Sequence, residues 1–272
     1  MTGAADIDEF RAGARAWLEA NARLRTAVAD PASAEWGVGS DNVAVFHALP
    51  EEVERERLLA CRRWQQAKFD AGYAMINWPE ALGGRGLPNS YLRAYNAEES
   101  RFELPNGGEL PPTSMGLIAP TVAAYGTPEQ QQRFIRPLLR QDEWGCQLFS
   151  EPSAGSDLAS LSTRAVADGD EWVVNGQKVW ISRIQHSDLM ILLARTTPLD
   201  EVKKKADGLS IFLVDLHAAI GKGMEIRPIR NMVNHETNEV FFEDVLLPAD
   251  ALVGEVGKGF RYVLDGMNAA SK

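Results

Sequence analysis

Between Gln147 and Ser160 the chain reads QLFSEPSAGSDLAS. An apolar run over residues 146–149 stops at Ser150, and Glu, Pro, Gly and several small hydroxyls follow before apolar residues resume. Two chemistries fit this composition. In one, Ser150, Ser153 and Ser156 hydrogen-bond their own backbone in a turn, and Asp157 caps a short helix. In the other, Gly155 and its small neighbours let main-chain N–H groups come up to a flat heteroaromatic ring or a phosphate. A second stretch, NGQKVWIS, ends a strand on Trp180, Ile181 and Ser182. A tryptophan there is either core or a face on which a planar cofactor stacks. The residues by themselves leave both pairs of alternatives open.

Other chemistries find less support. The four histidines, His47, His186, His217 and His235, lie apart in different contexts, which suits surface or hydrogen-bonded roles better than metal ligation. Cys61 and Cys146 are far apart in apolar surroundings, as expected of buried thiols in a reducing cytoplasm. There is no G-x-S-x-G elbow and no Walker phosphate loop, and GGRG at Gly83–Gly86 reads as a turn. Lys plus Arg number 28 against 38 Asp plus Glu, a net charge of −10, which argues against a nucleic-acid groove or an anionic membrane surface. An anionic small molecule needs only local positive charge or aimed N–H groups. No apolar run reaches the length of a membrane span, and MTGAADIDEF has no export-signal pattern, so a cytoplasmic location is expected.

The elements that must position these residues change character near Trp144. Before it, helical spacing predominates. Ile7, Phe10, Ala14, Trp17 and Leu18 share one face, and Val53, Ala60, Cys61, Trp64 and Ala67 share another over Glu51–Asp70. SYLRAYNAEESR and Ser114–Tyr125 predict two more helices. GTPEQQQRFIRPLL predicts a fifth, with Thr127 as N-cap, Pro128 at the first helical position and Gln130 completing a capping box. Loops rich in Gly and Pro, PASAEWGVGSDN among them, separate these helices. After Trp144 come strand-like runs with tight-turn signals at Asp168-Gly169 and Asn175-Gly176, then LMILLA, LSIFLVD, GMEIRPI and NEVFFEDVLLP. TTPLDEVKKKADG between two of them reads as a charged surface loop, and Phe260–Met267 as the start of another helix. Helices first and strands afterwards argue for two layers or domains.

LFSEPSAGSDLASLSTRA followed by VVNGQKVWIS, with INWPEALGGRGL earlier and NEVFFEDVLLPADALVGEVGKGFRYVLDGMN near the end, resembles the acyl-CoA dehydrogenase family over almost the whole chain. The resemblance implies an α+β protein. An N-terminal helical domain would span 1–143, an antiparallel β-barrel 144–256, and the start of a C-terminal helical bundle 257–272. It implies FAD as cofactor, an acyl-CoA substrate dehydrogenated between its α and β carbons, and a place in fatty-acid and lipid metabolism. Electrons would leave through an electron-transfer flavoprotein, and the protein would work as a homo- or hetero-oligomer. By the same resemblance Gln147, Phe149, Ser150, Gly155 and Ser156 lie beside the flavin. Ser150 would bond the ring near its reactive nitrogen and carbonyl, and Ser156 would face the thioester of the substrate. Trp180, Ile181 and Ser182 would cover the other edge.

The family's proton-abstracting glutamate lies late in the bundle in most members. In a minority it sits in an E-R pair after a segment like LDGMNA, where this chain reads Ala270, Ser271 and Lys272. No catalytic base is therefore assigned. Glu151 is expected to fix the flavin loop through hydrogen bonds, and residues 1–272 alone are expected to be inactive. The alternatives are a non-catalytic flavin- or acyl-CoA-binding subunit of a hetero-oligomer, and an oxidase on the same scaffold.

Overall fold

The computed structural model describes residues 4–25, 49–231 and 236–270. The PASAEWGVGSDN loop, His47 and His235 lie outside the described residues. The chain divides into two compact units, which meet in the sequence at Gly107–Gly108.

The first unit holds α1 (Ala4–Asn21), β1 (Arg23–Leu24), α2 (Glu51–Asp70), α3 (Asn89–Glu99) and β2 (Phe102–Glu103), with β1 and β2 paired antiparallel. Ala14 and Leu18 of α1 are fully buried with Ile76, Tyr95 and Phe102. Aromatic rings close this core, Phe10 meeting Tyr91 edge-on and Tyr73 stacking on Tyr95, each at 5.1 Å between centroids. The helix over Glu51–Asp70 forms, but its buried face is Glu54, Leu58, Cys61 and Gln65, while Val53 is 51% exposed. Cys61 and Trp64 do face inward as expected, Trp64 packing on the core with its ring 5.2 Å from that of Trp17; apolar spacing missed Glu54, which is buried beside Arg57 and pairs with it at 3.3 Å.

The second unit opens with a π-helical turn, Pro112–Ile118, that runs into α4 (Ala119–Tyr125), where a single helix was expected. Next is α5 (Pro128–Arg140), whose capping box forms in full. Thr127 Oγ1 accepts from Gln130 N at 3.2 Å, and Gln130 Oε1 accepts from Thr127 N at 3.0 Å. Then follow β3 (Gly145–Leu148), β4 (Arg164–Asp168), β5 (Glu171–Ser182), β6 (Leu189–Arg195), β7 (Leu209–Asp215), α6 (Leu216–Ala219), β8 (Met224–Ile229), β9 (Thr237–Pro248), β10 (Leu252–Val253) and α7 (Gly259–Ala270).

Among the described residues the strands of this unit form a sheet in the order β10-β7-β6-β4-β5-β9-β8, with β3 also on β6. β3 runs parallel to β6, and β4 touches β6 through one parallel pair, Arg164 with Arg195; the remaining pairings are antiparallel. The fold is α+β with helices first, as expected. The sheet does not close, so "barrel" describes its curl only loosely. Leu148, Val174, Ile181, Met190, Leu192, Phe212 and Val240 belong to the cluster that fills its interior.

The Asp168-Gly169 signal marks a hairpin, with Asp168 facing Glu171 and Gly169 at φ +58°. Asn175-Gly176 does not turn the chain. β5 continues through it, and the register slips there because Glu243 and Asp244 of β9 together face Asn175. Gly176 is required for a different reason: a Cβ on it would lie 2.6 Å from the Cα of Thr163.

Candidate functional site

β3 buries Gly145, Cys146 and Leu148 but leaves Gln147 exposed, and the chain leaves β6 after Leu148. Phe149 stays buried, Ser150 is half-buried, and Glu151 is buried again. A set of hydrogen bonds holds this turn, including the backbone pair between Glu151 and Ala154. Val179 N donates to Ser150 O at 2.9 Å. Lys178 Nζ donates to Phe149 O and to Glu151 Oε1, each at 2.9 Å. Glu151 also accepts from Thr163 N at 2.8 Å, Ser162 N at 2.7 Å and Ser162 Oγ at 2.8 Å. Burial pushes the Glu151 carboxyl up, but the Lys178 ammonium and the bonds from Thr163 and Ser162 outweigh it and hold it at about 2. Burial pushes Lys178 down to about 8 against the pull of Glu151, so the pair is ionised at neutral pH. Glu151 thus fixes its loop through hydrogen bonds, as expected of it.

Opposite this turn β5 carries a second irregularity. Lys178 faces Val240 and Ile181 faces Asn238, so Val179 and Trp180 share the place of one partner residue, Glu239. Trp180 takes φ +61°, a left-handed backbone that costs a bulky residue energy, and it is 62% exposed. The core alternative for Trp180 is excluded by that exposure. A cleft joins the two places, lined by Gln147, Phe149 and Ser150 on one side and Trp180, Ile181 and Ser182 on the other. The two stretches that stood out in the sequence are therefore brought together. Ser150 Oγ has no hydrogen-bond partner among the described residues, unlike the self-satisfied turn the sequence left open.

Gly155 and Ser156 are exposed and do not line this cleft. A Cβ on Gly155 would meet nothing within 4 Å, so no packing inside the chain demands glycine there. Asp157 does not cap the short helix at Leu158–Ser160 through its side chain. Its carboxylate accepts instead from Lys205 Nζ at 2.9 Å and from Ser160 Oγ at 2.5 Å.

The cleft also has residues that the sequence did not assign to a site: Glu109, Leu110, Thr113, Gly145, Cys146 and Arg183. The first three come from the approach to the π-helical turn and the turn itself. Ser114 ties that turn to β3, donating to Leu110 O at 2.7 Å and accepting from Gly145 N at 2.9 Å. A π-helical turn often marks a functional site, but no residue pattern announced this one. Arg183 is buried at φ +59°, with Nε 3.1 Å from Glu236 Oε2, and Glu236 Oε1 lies 3.0 Å from His186 Nε2. His217 pairs with Asp188. Burial pushes the Cys146 thiol up to about 12, which removes it as a nucleophile at neutral pH.

The described residues thus form an open, mainly antiparallel sheet preceded by helices, with a cleft between Ser150 and the exposed, positive-φ Trp180. Residues 43–142 match the family model for the acyl-CoA dehydrogenase N-terminal domain, and residues 146–245 that for the middle domain. The chain belongs to the acyl-CoA dehydrogenase family. It is 39% identical over 260 residues to the acyl-CoA dehydrogenase IpdE1 of Mycobacterium tuberculosis, covering 95% of this chain and 61% of that protein. It is 34% identical to the mitochondrial long-chain specific acyl-CoA dehydrogenase of Sus scrofa, covering 85% of this chain and 54% of that one. Among solved structures, the ChsE4-ChsE5 complex from Mycobacterium tuberculosis superposes with a TM-score of 0.70 at 28% identity, covering 99% of this chain and 61% of that chain. The chain thus spans 61% of one IpdE1 relative and 63% of another. Among the described residues no helix is long and apolar enough to cross a membrane.

Proposed function

We propose that the cleft between Ser150 and Trp180 holds the isoalloxazine ring of FAD, and that the protein takes part in α,β-dehydrogenation of an acyl-CoA thioester. The observation that carries this reading is the pairing of an unpartnered serine hydroxyl with an exposed tryptophan held in a costly backbone. Neither is explained by packing within the described residues, and both suit a flat polar ring. FAD, when bound, supplies the hydride acceptor. Ser150 is the candidate donor to the ring's polar edge, where a fixed hydrogen bond favours charge that builds up on reduction. Trp180 offers an aromatic face, Phe149 and Ile181 an apolar lining, and Gln147 and Ser182 polar groups at the rim. Ser156, exposed on the same loop, is the candidate to face the acyl thioester, and Gly155 beside it the candidate for a close main-chain approach to the flavin.

The α-proton of a thioester needs a carboxylate or similar base within reach. Glu151 is unsuited, since a carboxyl held near 2 by a buried lysine is a weak proton acceptor. We therefore assign the base to residues outside the Ser150 loop. The organisation into a helical domain, a middle β domain and a C-terminal helical domain belongs to the same proposal, as do an electron-transfer flavoprotein as acceptor and an oligomeric assembly. The test is an absorption spectrum of the purified protein titrated with FAD, followed by anaerobic addition of acyl-CoAs. A bound flavin band that bleaches with substrate supports the reading; no uptake of FAD overturns it. The likeness to the ChsE4-ChsE5 complex supports a second reading, a flavin- or acyl-CoA-binding subunit that works only beside a different chain. Bleaching that requires an added partner subunit would select that second reading.

A further inference from the structure

Lys178 is fully buried, and an ammonium in such a place is costly unless its N–H groups are bonded and its charge is matched. A methionine at this position would fill the same space at less cost. Replacing a buried ion pair by apolar groups of similar volume is often neutral or stabilising, so stability alone gives little reason for a lysine here. Its contacts give a geometric one. Nζ reaches Phe149 O and Glu151 Oε1, the residues immediately before and after Ser150. Ser150's own carbonyl is held by Val179, the next residue along β5. The residue after that is Trp180, at the bulge. β3 pairs with β6, so beyond Leu148 no strand ladder sets the distance from the Ser150 turn to β5.

We infer that Lys178 is a positioning residue of the cleft: its buried ammonium fastens both neighbours of Ser150 to the strand that carries Trp180, and so sets the spacing between the cleft's two edges. The role rests on the flavin reading given above. Through Glu151 the fastening extends to Ser162 and Thr163 at the entry to β4. The same Thr163 packs against Gly176, so the position of β5 is referenced on both sides of Lys178. Lys178 does not itself line the cleft; it acts through the backbone of Phe149, which does, and through the carboxylate of Glu151.

The test uses the intact protein and three readouts: FAD affinity by fluorescence titration, hydrogen exchange at the Val179 amide, and thermal unfolding without flavin. The double variant Lys178→Met with Glu151→Gln removes both charges together. It is expected to unfold close to the parent, yet to bind FAD about fivefold or more weakly, the worth of at least one misaligned hydrogen bond. Its Val179 amide should exchange faster while amides of β6 and β7 do not change. Glu151→Asp keeps the charge pair but shortens it by one methylene, and the same drop in FAD affinity is expected without loss of the fold. If either folded variant binds FAD with the parental affinity and spectrum, the positioning role is overturned. If the parent itself takes up no FAD, the flavin reading falls and this role falls with it, a result distinct from the first.

Discussion

Two neighbouring irregularities in the β5–β9 pair each place a non-glycine residue at positive φ, and they differ in what compensates it. At the first, Asp244 of β9 sits at φ +48°. Aspartate tolerates this region, and Asn175 holds it from both ends: Asn175 Oδ1 accepts from Asp244 N at 3.0 Å, and Asn175 Nδ2 donates to Asp244 Oδ1 at 2.9 Å. At the second, Trp180 sits at φ +61° with most of its surface in solvent. Residue and backbone agree at the first site and conflict at the second. A local conflict left uncompensated inside the fold is where a functional constraint is expected. The first irregularity is therefore read as structural, and the second as part of the cleft.

The largest effect should come from the residue between them. Lys178→Met alone leaves Glu151 charged and buried without its cation, and is expected to cost about 3–5 kcal/mol in denaturant unfolding at neutral pH. The pH dependence sharpens this. Glu151's folded value lies below its ordinary 4.5, so the stability it contributes is full above 4.5 and is lost as pH falls toward about 2. The gap between parent and Lys178→Met should narrow over that same window. A gap constant down to about pH 2 would place the cost elsewhere.

Gly176→Ala should follow, at about 1–3 kcal/mol, because its Cβ would lie 2.6 Å from both the Cα and the Oγ1 of Thr163. Asn175→Ala should cost about 1–2 kcal/mol through its two bonds to Asp244. Asn175→Ala is expected to leave FAD affinity unchanged, and a drop there would blur the distinction between the two irregularities. The smallest effect belongs to Ser150→Ala. It should leave thermal unfolding unchanged and weaken FAD binding by about 1 kcal/mol, measured by titration.

Much of this arrangement was legible in the sequence, because local chemistry dictated it. The α5 capping box, the Asp168-Gly169 hairpin and the strands of the sheet follow from residue types acting over a few positions. What failed did so for reasons beyond that range. Asn175-Gly176 has the composition of a turn, but β9 continues alongside β5 and converts it into a register slip. The inward face of α2 contains Glu54 and Gln65, which apolar spacing cannot rank as buried. Asp157 looked like a cap, but Lys205, remote in sequence, claims its carboxylate. For the cleft, the Ser150 and Trp180 stretches were visible in composition and in a family resemblance. Glu109, Thr113 and Arg183 were not, since they arrive through the π-helical turn and a buried ion pair that no spacing encodes.

The central claim, that Trp180 keeps a costly conformation because it faces a flavin, is tested most directly by Trp180→Gly. Glycine accepts positive φ without strain, and the side chain it replaces is mostly exposed. Thermal unfolding without flavin and FAD titration are to be measured on the same preparation. The account predicts a melting temperature no lower than the parent's, together with FAD binding weakened by about tenfold, in line with a lost aromatic stack of roughly 1–1.5 kcal/mol. A variant that melts well below the parent yet binds FAD as tightly would contradict it, and would return Trp180 to a purely structural role.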